Sequence, residues 1–224
     1  MNPSPQMTPP SAARPHRSSP VWAGLLVTAA WLAGCSALPD KPVRPAVYDF
    51  GPGLLMPPAT PAVSATPLPA LVLADIDASA ALDGTAMLYR LAYADVQQLR
   101  PYAQARWSMP PAQLVRQRLR EQLGRQRVVL NPVDGAAATT LRLELEEFTQ
   151  VFEAPDRSSG LVRLRATLVD GAGGRERQIA QRRFVAQQAA TGADAAAGVR
   201  ALSAATDAAI DDIGRWLQQP PSAR

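Results

Sequence analysis

Apolar positions in this chain change period from segment to segment, and each change marks a structural element. Residues 71–76 and 86–91 are apolar enough for strands, and 95–99 reads as a weaker third. Leu141, Leu143 and Leu145 alternate with Arg142, Glu144 and Glu146, as a half-buried strand requires. The alternation slips at Glu146-Glu147, after which Phe148 and Phe152 are the apolar partners; a bulge accounts for the slip. Val162, Leu164, Ala166 and Leu168 form the next alternating set. A turn at 170–174 and a returning strand at 178–187 complete an antiparallel meander. Val128, Val129 and Leu130 make a short strand, and so do residues 47–50.

Helical spacing occurs twice. Ser108 can cap a helix whose first turn holds Pro110 and Pro111, where missing N–H groups cost nothing. Its apolar stripe is Ala112, Val115, Leu119 and Leu123, with Arg116, Arg118 and Arg120 largely off it, and Gly124 ends it. The last helix starts near Thr191 or Asp194 and runs to Leu217. Val199, Leu202, Thr206, Ala209, Ile213 and Trp216 recur along it every three or four residues, a seam that packs on something flat. Strands, helix, strands, helix predicts an α+β domain, a mainly antiparallel sheet with two helices packed on one face.

The N-terminal third follows other rules. Residues 1–20 hold six prolines and no acid, and residues 21–33 are an apolar run too short to span a bilayer as a helix. That run suits a signal peptide, and it ends in Leu32-Ala33-Gly34-Cys35, which resembles the bacterial lipobox. Cys35 would receive the diacylglycerol, and three acyl chains are ample for stable anchoring. Ser36, rather than an acid, favours the outer membrane by the enterobacterial sorting habit. Residues 36–69 carry nine prolines and read as a tether of about 100 Å when extended.

Composition narrows the chemistry. The only histidine is His16 and the only cysteine is Cys35, both ahead of the foldable region. A His-based triad, a Cys–His pair and a zinc site with His or Cys ligands are therefore excluded from the domain. Net charge is +4, but from Cys35 onward 21 basic residues face 19 acidic ones, so no nucleic-acid-binding stripe is implied. No cofactor or metal motif is present: the glycines at 171, 173 and 174 read as a turn rather than a phosphate loop.

Two residue groups are candidates for chemistry. Glu144, Glu146, Glu147 and Glu153 could do acid–base work, but alternation places Glu144 and Glu146 on a solvated sheet face opposite Arg163 and Arg165. The arginines on and after the first helix, with Arg106, could meet a lipid head group or an acidic partner. Arg106, Trp107, Arg116 and Arg120 are the candidate contacts. Trp107 reads equally as a hydrophobic staple or an exposed anchor.

The segments in order resemble a known family. Tyr48-Asp49-Phe50 and Met87-Leu88-Tyr89-Arg90 come first, then Arg106-Trp107 ahead of Pro110-Pro111. Leu145-Glu146-Glu147-Phe148 with Gln150, Val151 and Phe152 follows, and Arg215-Trp216-Leu217 closes the last helix. This resembles the ABC-type transport auxiliary lipoprotein family of the paraquat-inducible protein C type, over about residues 46–218. The resemblance implies a Gram-negative envelope lipoprotein working with an MCE-domain protein and an ABC permease and ATPase in moving lipids or other hydrophobic compounds. It implies no catalytic residues.

The resulting expectations are a signal peptide at 1–34, a lipidated cysteine and tether at 35–69, and the auxiliary domain at 70–218. The protein is expected to be a non-enzyme, lipid-anchored at the outer membrane facing the periplasm, without cofactor, metal or nucleic acid. It is expected to dock an MCE-domain component, with self-association left open. The alternative is a lipid carrier that holds its cargo between sheet and helices; a hydrolase using Glu146 and Glu147 is a distant third.

Overall fold

A computed structural model describes residues 44–52, 68–135, 139–171 and 176–219. Cys35, the signal segment, residues 53–67 and most of the expected turn at 170–174 lie outside them. The spine is β6, Thr140–Ala154. Its pairing with β7, Arg157–Asp170, runs along its whole length and shifts register between Leu145 and Glu147. One extra residue there moves the inward face from odd to even positions. Leu141, Leu143 and Leu145 are buried before the shift, and Phe148, Gln150 and Phe152 after it. β8, Arg177–Ala189, pairs antiparallel with β7 and completes the meander.

The other edge of β6 takes two strands in succession. β2, Leu68–Ala78, pairs with 140–145 and β3, Ala86–Leu91, with 150–152, both parallel. Between them the chain makes a 3-10 turn at Ala80–Leu82. β4, Leu99–Trp107, returns antiparallel on β3, and β1, Ala46–Tyr48, adds parallel to β4. β5, Arg127–Leu130, adds parallel to β2. The eight-stranded sheet is therefore mixed. The meander is antiparallel as expected; the parallel pairs arise where intervening chain carries a strand back to the starting end before it joins the sheet.

Two local expectations change. Residues 92–98 form the β3–β4 connection, and the strand expected at 95–99 starts only at Leu99. Pro101 lies within it, on a stretch of β4 that β1 does not cover. The first helix, α1, spans Pro111–Gly124 with Pro110 as its cap residue. Ser108 does not cap it; its backbone N–H donates to Tyr48 O at 2.7 Å. The final helix, α2, spans Ala195–Leu217, and Asp194 caps it by accepting from Ala197 N at 2.7 Å.

Both helices cover the inward face of the sheet. Val199, Leu202, Thr206, Ala209 and Ile213 of the seam are buried, and Trp216 packs edge-on against Phe184 at 5.7 Å. Helix and strand come nearest at Gly160: a Cβ there would stand 2.5 Å from Leu202 N and 2.6 Å from the Ala201 carbonyl carbon. Glycine is required because backbone meets backbone.

The segment ahead of β2 is less free than a tether. Phe50, just past β1, lies 5.8 Å from Trp107 and 6.1 Å from Phe148, ring centre to ring centre. Trp107 is 1% exposed and packs edge-on against Phe148. Arg118, expected off the α1 stripe, is buried. Its Nε donates to Asp207 Oδ1 at 2.8 Å and its Nη2 to Phe50 O at 3.3 Å. One side chain thus ties α1, α2 and the N-terminal segment together. With β1 in the sheet, only about eleven residues separate Cys35 from the fold, about 40 Å at full extension rather than 100 Å.

Two substitutions test this packing. Gly160→Ala should lower stability by about 2–3 kcal/mol, read as a urea midpoint shift; an unchanged midpoint would show that α2 can retreat at little cost. Burial raises the Asp207 carboxyl above its usual range despite Arg118, and Asp211 and Glu121 push it the same way. Such a group is easier to bury protonated, so its penalty is absent at low pH and appears as pH rises through its titration. Arg118→Met should therefore cost about 2–3 kcal/mol at pH 7 and less at pH 4. Equal cost at both would assign the loss to packing alone.

Candidate functional site

Strand alternation sets out the outer face of the sheet. Glu144 from β6 stands in register with Arg165 from β7, and Arg165 with Arg183 from β8. Arg165 binds Glu144 at 3.2 Å and also contacts Glu146, while Arg183 Nε reaches Glu146 Oε2 at 2.8 Å. Burial pushes the Glu146 carboxyl up, but hydrogen bonds and charge from Arg183 and Arg165 outweigh it and hold the group below the usual carboxylate range. Its two oxygens are engaged by two guanidinium groups. Glu147 accepts from Thr149 Oγ1 at 2.6 Å and lies 3.5 Å from Arg90; Glu153 accepts from Ser159 Oγ and Gln187 Nε2. The four acids form a cross-strand ladder with local partners, which is what the alternation implied for Glu144 and Glu146. The partner is Arg165, joined by Arg183 from the next strand.

The inward face holds a buried polar cluster that sequence reasoning missed. Gln150 is fully buried and lies beneath the start of α2. Tyr102 OH donates to Gln150 Oε1 at 2.9 Å, and Gln150 Nε2 donates to Ser158 Oγ at 2.8 Å and Asp194 O at 3.3 Å. Ser158 Oγ donates on to Gly192 O. A Cβ at Gly198 would overlap the Gln150 amide, so the helix passes directly over it. Burial, then the charges of Tyr89 and Asp194, push the Tyr102 phenol up to about 12, which keeps it a hydrogen-bond donor. The cluster fixes the loop before α2 to the sheet. Its only sequence signal was the parity change, which turns Gln150 inward with Phe148 and Phe152.

The four candidate contacts do not share one surface. Trp107 is closed inside the core, so the exposed-anchor reading and its role as a contact are both corrected. Arg106, its neighbour on β4, is exposed on the outer face beside Val47. Arg116 Nε lies 3.1 Å from Asp75 Oδ1 and bonds Ala74 O, while Arg120 donates to Val129 O and Asn131 Oδ1. These two tie α1 to β2 and β5, on the opposite side of the sheet from Arg106. Cys35 and the lipobox residues Leu32, Ala33 and Gly34 lie outside the described residues. A solvent-open cleft of about 520 Å³ separates residues 47–51 from α2, lined by Val47, Phe50, Ser108, Val199, Ser203 and Asp207. Among the described residues no group of three His, Cys, Asp or Glu side chains is placed to hold a metal ion, and no helix is long and apolar enough to cross a membrane.

Comparison with known proteins places this arrangement. The crystal structure of protein XCC0632 from Xanthomonas campestris superposes with a TM-score of 0.56 at 16% identity, over 80% of this chain and 89% of that one. A crystal structure of an uncharacterized protein gives 0.58 at 16% identity, over 78% and 99%. Both establish the fold. A comparison with curated proteins gives no match. The family model described as ABC-type transport auxiliary lipoprotein component matches residues 54–214, from the stretch before β2 to the end of α2. That span covers the bulged β6, the Gln150 cluster and the Gly160 contact with α2, so the chain belongs to the ABC-type transport auxiliary lipoprotein family.

Proposed function

We propose that the protein is a non-catalytic auxiliary subunit of an MCE and ABC-type transport system that moves lipids or other hydrophobic compounds between membranes. Cys35 carries the lipid and holds the domain at the outer membrane, facing the periplasm. The domain docks the MCE-domain component, which is served by an ABC permease and ATPase. The observation that carries this reading is position: a domain matching the auxiliary family over 54–214 lies downstream of an apolar segment ending in Leu32-Ala33-Gly34-Cys35.

The packing favours docking over carrying. The layer between sheet and helices is occupied by Leu141, Leu143, Leu145, Phe148, Leu164, Leu202, Ile210 and Ile213, each at most 2% exposed. An acyl chain held there would have to displace them, at about 1.5–3 kcal/mol per side chain returned to water.

Cys35→Ala should give a folded, soluble protein that fails to restore envelope integrity to a deletion strain. Restoration by that variant would remove anchoring from the model. The wild-type lipoprotein, extracted in mild detergent, should bring down an MCE-domain protein identified by mass spectrometry. Recovery with stoichiometric phospholipid and no such protein would transfer the assignment to a carrier.

A further inference from the structure

The parallel pairing of β1 and β4 has a directional consequence. Ala46, Val47 and Tyr48 stand beside Ala105, Arg106 and Trp107, running the same way. The chain therefore arrives at β1 from the end of the sheet where β4 begins. That end carries the β3–β4 connection, residues 92–98. Tyr93 is 48% and Val96 61% exposed there, the two large apolar side chains that this connection turns to solvent. The tip is braced from below: Arg90 Nη1 donates to Val96 O at 2.7 Å and Arg90 Nη2 lies 3.5 Å from Glu147. Its one acid, Asp95, accepts from Gln97 N at 2.9 Å.

We infer that residues 93–96 rest in the head-group layer of the membrane that carries the lipid anchor. The inference rests on the acylation of Cys35 proposed above. The lengths agree. β4 is irregular there, and its stretch from Arg106 back to Leu99 spans only Ala86 to Arg90 of β3, about 13 Å, while about 40 Å of chain is available between Cys35 and Ala46. The tip can meet the bilayer with chain to spare. Presenting the far end, near Val133, would require the chain to reverse direction at Arg44. Tyrosine suits the site because its ring is apolar and its hydroxyl bonds head groups, and valine adds apolar area without a polar group to bury. The bond from Arg90 to Val96 O fixes the backbone at Val96 without help from the membrane.

The test uses the full lipidated chain on vesicles of phosphatidylethanolamine and phosphatidylglycerol containing a phospholipid quencher with a shallow nitroxide. An environment-sensitive fluorophore is attached to Val96→Cys or, at the opposite end of the sheet, to Val133→Cys, which replaces a valine 91% exposed. The expected result is at least twofold stronger quenching at 96 than at 133, with blue-shifted emission at 96 only. In unlabelled chains, Tyr93→Ser with Val96→Ser should leave flotation with the vesicles intact, since the acyl chains supply it. Protein that floats with the label at 96 unquenched, or quenched no more than at 133, overturns the inference and leaves the anchor standing. Protein that stays off the vesicles, with Cys35 itself taking the label, overturns the anchor and the inference together.

Discussion

The extra residue at Glu146 is the constraint on which the rest of the structure depends. A strand shows alternate residues to alternate faces, so fifteen residues in strict alternation would carry one apolar set. Inserting one residue lets β6 bury Leu141, Leu143 and Leu145 and then Phe148 and Phe152 on the same side. Without it, two phenylalanines would turn to water and Glu147 would turn into the core. The same shift puts Gln150 under α2 and Phe148 against Trp107. It also falls opposite the break between β2 and β3, where the second edge of β6 passes from one partner strand to the next.

A second consequence concerns the N-terminal segment. β1 is three residues long and is held by more than its ladder: Phe50 fills the space over Trp107 and Phe148, and Arg118 takes its carbonyl. A load on the chain ahead of Arg44 would therefore pass into the aromatic core and the two helices. The buried Arg118 and the half-buried Asp207 make the junction selective rather than strong, since partly removing the pair from water offsets much of its attraction.

The acids of the outer face show how residues that could serve acid–base work are drawn into cross-strand ion pairs. Glu146 is of a residue type that could do acid–base work, yet it is bracketed by Arg165 and Arg183 and held below the usual carboxylate range. Its arginine partners come from β7 and β8, so the charges stitch three strands on the face away from the helices. The family to which the chain belongs is a transport auxiliary component, and the ladder fits a structural part in it.

Much of this was written in local pattern. The two helices, the meander and the bulge at Glu146 were legible because period and parity act between residues close in sequence. The family was legible from its motifs in order. The strand at 99–107 was obscured by Pro101 and a polar alternation, and the mixed character of the sheet could not be read because pairing partners leave no local mark. Trp107 read equally as a hydrophobic staple or an exposed anchor, and the contact that buries it comes from Phe50, 57 positions earlier. Arg118 looked like a solvated charge until Asp207 met it from α2. The sequence alone determined the two helices, the antiparallel meander and the bulge within it, and it left the domain without histidine or cysteine. Only the tertiary structure decided which charges are buried, which aromatic is core and from which end the chain enters. Those depend on contacts between distant residues, and such contacts exist only once the sheet has assembled.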